Sequence, residues 1–316
     1  VVALKQSKMN RGRFGLVFQA FPERTGYLGF STDEGGFEVV SPGVFQLTAP
    51  MISQLTAHAA VFRYPSGVDQ SHSNVGWLVN ICGDPEEYGE ALEYLGGLLA
   101  QSHFPTLNKP EQVLAVRRDR LASTLGQSTD MQTLRTVRFF ADDRDLFRKH
   151  FEQAGMSYPV MVQVAGERYG HKSVVIRSDG DWDQIFSIPW GDRWVYLSQL
   201  PRSNTLRRIR VTVTPYGCYV TGVSDGEPSR EAQAQANRIG KNVRSTTGLD
   251  FAQVEVLLDE QGRGFVLDIS AAPEMRPDPS HLPYQRKALR DVERDMWRKL
   301  REFTGLPLKM QLIHKL

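Results

Sequence analysis

Two rhythms alternate along this chain. Short apolar runs bounded by Gly, Pro, Asn and Asp mark strands, and apolar residues three and four apart mark the inward face of a helix. In the first third, Arg13–Phe21 (RFGLVFQAF), Ala60–Tyr64 and Gly76–Cys82 (GWLVNIC) read as strands. Pro85–Ser102 reads as a helix, with Ala91, Leu92, Leu95, Leu98 and Leu99 on one stripe. A short strand in FPTLNKP (Phe104–Pro110) and a helix over Glu111–Leu125 follow. Such strand–helix–strand alternation predicts a mostly parallel sheet covered by helices.

The rhythm then changes. A short charged helix over Asp143–Ala154 precedes two β-rich runs, YPVMVQVAG and KSVVIRS, separated by the loop Gly166–His171. A turn or two of helix around Asp181–Phe186 leads to the strand WVYLSQL, which predicts a small antiparallel sheet with helices on one side. In the last third, RRIRVTVTPYGCYVTGV reads as a hairpin turning at Pro215, Tyr216 and Gly217. The helix Arg230–Val243, a second hairpin and a final amphipathic helix over Leu289–Phe303 complete the chain. Trp297 in that helix is expected to pack on the domain.

Length turns these segments into lobes. A chain of 316 residues is long for one compact core. The expected division is an N-terminal α/β lobe over 1–125, a central lobe over 126–200 and a C-terminal lobe over 201–316, the last two α+β. No internal repeat is present. A net charge of +2 gives no global attraction to nucleic acid or a membrane surface. No apolar run approaches the ~18 residues of a membrane span, and VVALKQSKMNRGR has no signal-peptide pattern, so a cytoplasmic protein is expected. A start at Val1 is compatible with a trimmed or longer chain. Cys82 and Cys218 lie in apolar runs and are expected to be buried, reduced thiols.

Candidate chemistry concentrates in GLDFAQVEVLLDEQGRGFVLDISAAPEM, Gly248–Met275. Glu255 interrupts the first apolar run and Asp268 ends the second, although a carboxylate is rarely buried without a partner or a metal. The bland alternative puts Glu255 on the solvent face of an edge strand and has Asp268 cap a turn. Arg208 and Arg210 are two apart on a strand and project together, with Arg207 opposite. The bland alternative there is a solvated edge, and an RNA-binding patch with Tyr216 and Tyr219 lacks wider basic character. Asn80 and Asp84, at a strand end, are candidates for lining a substrate site. His72 and His103 have no partners at metal-ligand spacing, and Ala141–His150 reads as a solvated mixed-charge helix.

The order of these elements resembles the ATP-grasp superfamily of carboxylate–amine ligases, which includes glutathione synthetase, D-alanine–D-alanine ligase and peptide glutamate ligases. The match is best at GLDFAQVEVLL…FVLDISAAPE, where members carry GLD-x-A-x-V-D and then V-L-E-V-N-x-x-P. On that pattern Glu255 and Asp268 take the places of the metal carboxylates and Ser270 that of the metal-binding Asn. FPTLNKPEQVLAVRRDRLAS resembles the entry to the ATP region, with Arg120 at the place of its lysine. YPVMVQVAGERYGHK resembles the strand and glycine loop over the phosphates, which assigns Gln163, Gly166, Arg168, Gly170, His171 and Lys172 to the nucleotide. VYLSQL resembles the adenine strand and contributes Ser198 and Gln199. Arg210, with Arg208 beside it, matches the arginine that contacts the transferring phosphate. The resemblance spans about Phe104–Glu274.

The sequence departs from the pattern at Gln163, where members carry a lysine, at Ser270, and in a loop with fewer glycines than a phosphate cradle prefers. The resemblance implies an ATP-grasp fold behind an N-terminal α/β lobe, with ATP and Mg²⁺ as cofactors. It implies a ligase that joins a carboxylate to an amine through an acyl phosphate. The implied partners are small-molecule or peptide substrates, not nucleic acid or membrane, with a homodimer left open. The alternatives are a nucleotide-binding or scaffold protein that keeps the fold without turnover, and a kinase.

Overall fold

In the structure, a computed structural model, the described residues are 14–20, 30–31, 38–39, 49–56, 59–64, 75–80, 83–86, 88–100, 105–126, 131–165, 173–203, 205–224, 226–271, 273 and 280–310. The chain opens with β1 (Phe14–Ala20) and a small antiparallel pair, β2 (Phe30–Ser31) and β3 (Glu38–Val39). Then come α1 (Ala49–Thr56), β4 (Ala59–Tyr64), β5 (Val75–Asn80), α2 (Gly89–Ala100) and β6 (Thr106–Leu107). The order β4-β1-β5-β6 is parallel throughout. Leu92 and Leu95 of α2 are buried against it, as the helical stripe predicts. Cys82, His72 and His103 lie outside the described residues.

The single helix expected over Glu111–Leu125 is broken. It divides into α3 (Pro110–Ala115), a 3-10 turn (Arg118–Arg120) and α4 (Leu121–Leu125), followed by β7 (Gln132–Thr133). Arg117 leaves helical space with ψ 138, which swings Arg118 inward to 7% exposure. Propensity favours a continuous helix, but burying a guanidinium with its own partners redirects the chain here.

The central sheet comprises β8 (Thr136–Ala141), β9 (Val160–Val164), β10 (Val174–Ile176) and β11 (Arg193–Gln199), with α5 (Asp145–Gln153) after β8. Its order, β10-β9-β11-β8, is antiparallel. β8 carries no clear strand signal in TVRFFA, because Arg138 interrupts its apolar run. The helical turns expected at Asp181–Phe186 are a 3-10 segment, Asp179–Ser187.

The C-terminal sheet takes β12 (Arg207–Val213), β13 (Cys218–Val223), β14 (Ala252–Leu258) and β15 (Gly264–Ser270) in the order β13-β12-β14-β15-β7. Its covering helices are α6 (Arg230–Thr247) and α7 (Pro283–Thr304). Ser229 caps α6 by accepting from Ala232 N at 3.2 Å, and Gly248 ends it at φ 69. Trp297 of α7 is fully buried in the largest core cluster. Cys218 is half-buried rather than buried, because the edge strand β13 leaves it at the rim.

The parallel and C-terminal sheets share a core, since the largest apolar cluster runs from Met51 and Leu78 to Val254 and Trp297, and further contacts join the three main sheets. Leu134, Met161, Leu200, Leu257, Phe265 and Leu267 form a small apolar cluster between the central and C-terminal sheets. Asn108, fully buried at φ 51, donates through Nδ2 to Phe251 O and Ala271 O at 3.2 Å. Its Oδ1 accepts from Asp250 N at 2.9 Å and Phe251 N at 3.1 Å. This side chain joins the end of the parallel sheet to the root of the β14–β15 hairpin.

Candidate functional site

Strand alternation gives the central and C-terminal sheets one core face and one facing surface each. On β11, Val195 and Leu197 enter the central core, so Tyr196 and Ser198 lie on the other face. On β14, Val254 and Val256 enter the C-terminal core, and Glu255 and Leu257 lie opposite. β15 does not alternate strictly. Glu255 pairs with Asp268 and Val256 with Val266, so Leu267 has no partner of its own. This bulge lets Val266 and Ile269 both enter the core while Leu267, Asp268 and Ser270 share the opposite face with Phe265.

The two carboxylates stand side by side. Arg210, Glu255 and Asp268 occupy directly opposed positions on β12, β14 and β15. Arg208 Nη2 is bonded to Glu255 Oε2, and Arg210 Nε lies 3.8 Å from Glu255 Oε1. Arg118 Nη2 reaches Asp268 Oδ2 at 3.0 Å. Two carboxylates this close repel unless cations sit beside them, and three arginines do so here. Glu255 is 12% exposed on β14, which is paired on both sides, and Asp268 lies within β15, so the first is not on an edge strand and the second is not at a turn.

Arg118 bridges the sheets. Its Nη1 donates to Gln163 Oε1 on β9, and its guanidinium lies 5.1 Å from the centre of the Tyr196 ring on β11. Arg118 Nε is buried without an acceptor among the described residues, so the guanidinium has a donor to spare. Arg120, the cation expected on this segment, is exposed at the end of the 3-10 turn, and it is Arg118 that stands beside Gln163.

The adenine-strand residues separate. Ser198 is fully buried on the facing surface and shares a 3.0 Å hydrogen bond with Thr136. Gln199 points the other way, its amide donating to Ser157 Oγ at 3.1 Å, so its side chain is not part of this surface. Ser270 lies near the acidic pair, opposite Gln253. Gly166, Arg168, Gly170, His171 and Lys172 lie outside the described residues.

Sequence reasoning missed Glu86. It sits in the turn after β5, where Asp84 Oδ1 accepts from Glu86 N at 2.8 Å. Glu86 accepts from Arg138 Nη2 at 2.8 Å and from the Tyr196 hydroxyl, and Arg117 Nε is 3.7 Å away. Burial pushes its carboxyl above the usual range, while Arg138 and Arg117 pull it down. The turn Asp84-Pro85-Glu86 was the available signal. Of the candidates Asn80 and Asp84 in the same segment, Asn80 Nδ2 donates to Asn108 O at 2.8 Å and both side chains are buried.

The donor set suits magnesium better than a metal held by protein alone. Among the described residues no group of three His, Cys, Asp or Glu is placed to bind an ion. Two carboxylates and a hydroxyl remain, all hard oxygens. Magnesium usually takes one or two carboxylates and completes its shell with water and phosphate oxygens. No described helix is long and apolar enough to cross a membrane.

Neither a scan against protein-family models nor a search of curated proteins finds a match. Solved structures do match. The VanG D-Ala:D-Ser ligase from Enterococcus faecalis aligns with a TM-score of 0.54 at 13% identity, over 90% of this chain and 98% of that one. The D-alanyl-alanine synthetase A from Vibrio cholerae aligns with a TM-score of 0.57 at 11% identity, over 94% and 99%. The D-alanine–D-alanine ligase from Bacillus anthracis, solved with ATP, aligns with a TM-score of 0.51 at 11% identity, over 93% and 100%. At these identities the likeness is one of fold, and it extends over nearly the whole chain.

Proposed function

Because the chain has the ATP-grasp fold, we propose that it is an ATP-dependent ligase that joins a carboxylate to an amine. The observation that carries this reading is the row Arg210–Glu255–Asp268, faced across the two sheets by Arg118 and Gln163. On this reading Glu255, Asp268 and Ser270 would hold magnesium against the nucleotide phosphates. The metal supplies charge neutralisation as the terminal phosphate transfers.

The chain's own residues do the rest. Arg118 and Gln163 hold the nucleotide phosphates, and Ser198 lies on the surface facing the base. Arg210, with Arg208 beside it, stabilises charge on the transferring phosphoryl group. The substrate carboxylate oxygen bonds to the terminal phosphorus as the bond to ADP breaks, giving an acyl phosphate. The amine then attacks the acyl carbon, phosphate leaves with the electron pair, and the amine proton passes to solvent or base. The protein's contribution is positioning and charge stabilisation.

Gln163, where a cation is expected, favours a second reading: a nucleotide-binding protein without turnover. Calorimetry of ATP with and without Mg²⁺, followed by a screen of acids and amines for ADP release, separates the two. Mg²⁺-dependent binding with ADP release that needs both substrates supports the ligase. Binding with no ADP release from any mixture leaves the nucleotide-binding protein, and no binding overturns both.

A further inference from the structure

The outer face of α7 carries charge that the cleft does not use. Arg286, Arg290 and Arg294 follow one another at four-residue spacing and so line one side of the helix. Its other side buries Leu289, Val292, Met296, Trp297 and Leu300 in the core. With Lys287, the arginines line a groove of about 650 Å³ whose edge includes Met310. That edge is fixed: Gln54 of α1 donates to Lys309 O and accepts from Lys309 N, both at 2.8 Å. Arg294 pairs with Asp291 at 2.8 Å, whereas Arg286, Lys287 and Arg290 have no ion-pair partner among the described residues.

The helix that carries this face packs on β13, the strand beside Arg210. Gln285, beside Arg286, brings its amide nitrogen to 3.8 Å from the point where a Cβ on Gly222 would stand. Arg210 Cβ is 3.4 Å from the same point, and Arg210 and Gly222 are paired in register.

We propose that this face of α7 is a docking track for an acidic, extended peptide segment of the substrate, a proposal that rests on the ligase reading above. Arginines four residues apart on a helix are about 6 Å apart along its axis. Carboxylates on alternate residues of an extended chain are spaced by roughly 6.5–7 Å. The two ladders match, and carboxylates accept from guanidinium in bidentate fashion. A nucleic acid fits less well. Among the described residues no aromatic ring lines the groove for a base to stack on, and Asp291 and Glu293 leave room for spaced side-chain carboxylates only at the arginines.

The test is fluorescence anisotropy with a labelled peptide of about twelve residues alternating Glu and Thr, titrated with the full chain. The track predicts saturable binding that weakens at least tenfold in R286E/R290E/R294E and much less when the same arginines become lysine, which keeps the charge but not the bidentate fork. Thermal melting of each variant shows whether it is folded. Equal binding by the folded charge-reversed chain, no binding by wild type, or tighter binding of a single-stranded RNA of equal charge each overturns the track. Calorimetry of Mg-ATP on the same samples judges the ligase reading separately, so the two failures are distinguishable.

Discussion

Glu255 and Asp268 face each other on neighbouring strands, and each is held by arginine from a different element, Arg208 on β12 and Arg118 on the 3-10 turn. Without nucleotide, the arginines do the charge compensation that a metal would otherwise supply. Mg²⁺ alone is therefore expected to bind weakly, and together with ATP much more tightly, because phosphate oxygens draw the guanidinium groups away. The E255A/D268A double variant is expected to lower Mg-dependent ATP affinity roughly tenfold or more, about 1.4 kcal/mol or above. Calorimetry on folded protein checks this, and unchanged affinity in the double variant would remove the metal role of the hairpin.

Arg118 and Arg120 are two residues apart and have opposite fates. Arg118→Ala is expected to cost about 1–3 kcal/mol of stability by leaving Asp268 without its cation, and to weaken ATP binding severalfold. Arg120→Ala is expected to leave both within error. Gln163→Lys, which restores the lysine of the ATP-grasp pattern, places a second cation against the buried Arg118. It is expected to lower the melting temperature rather than raise nucleotide affinity. An exposed-residue effect at Arg120 equal to that at Arg118 would contradict this assignment.

Asn108 ties the parallel sheet to the hairpin through four side-chain hydrogen bonds. Asn108→Ala removes all four and places at φ 51 a residue that tolerates the left-handed region less well than asparagine. An expected loss of about 2–4 kcal/mol follows from the buried groups left unsatisfied. Urea denaturation measures it, and a loss below about 1 kcal/mol would show that water replaces the amide.

Asp259 fixes the turn of the same hairpin. Its Oδ1 accepts from Gln261 N at 3.0 Å and Arg263 N at 2.8 Å, and its Oδ2 accepts from Arg263 Nε at 2.7 Å. Burial alone would raise its carboxyl, but Arg263 and these backbone donors outweigh it and hold the group below the usual range. A depressed carboxylate contributes stability that is present above the unfolded value, about 3.9, and lost as pH falls through the lower folded one. Stability measured in urea from neutral pH down to about pH 3 is expected to fall on the acid side. Asp259→Asn is expected to flatten that limb.

The sequence by itself determined what local chemistry determines. Apolar runs between turn residues located the described strands other than β2, β3, β7 and β8, the stripe from Ala91 to Leu99 located α2, and a carboxylate on each arm of the last hairpin marked the candidate site. The order of these elements carried the resemblance to the ATP-grasp fold. Tertiary structure decided the rest, because these outcomes depend on contacts between segments distant in sequence. Helical spacing could not foresee that the chain breaks at Arg117, burying Arg118 and leaving Arg120 in water. Simple alternation could not foresee the bulge at Leu267 that puts Asp268 on the same face as Glu255. A turn motif alone could not show that Glu86 would cross to Tyr196 on another sheet, at a sequence separation of 110.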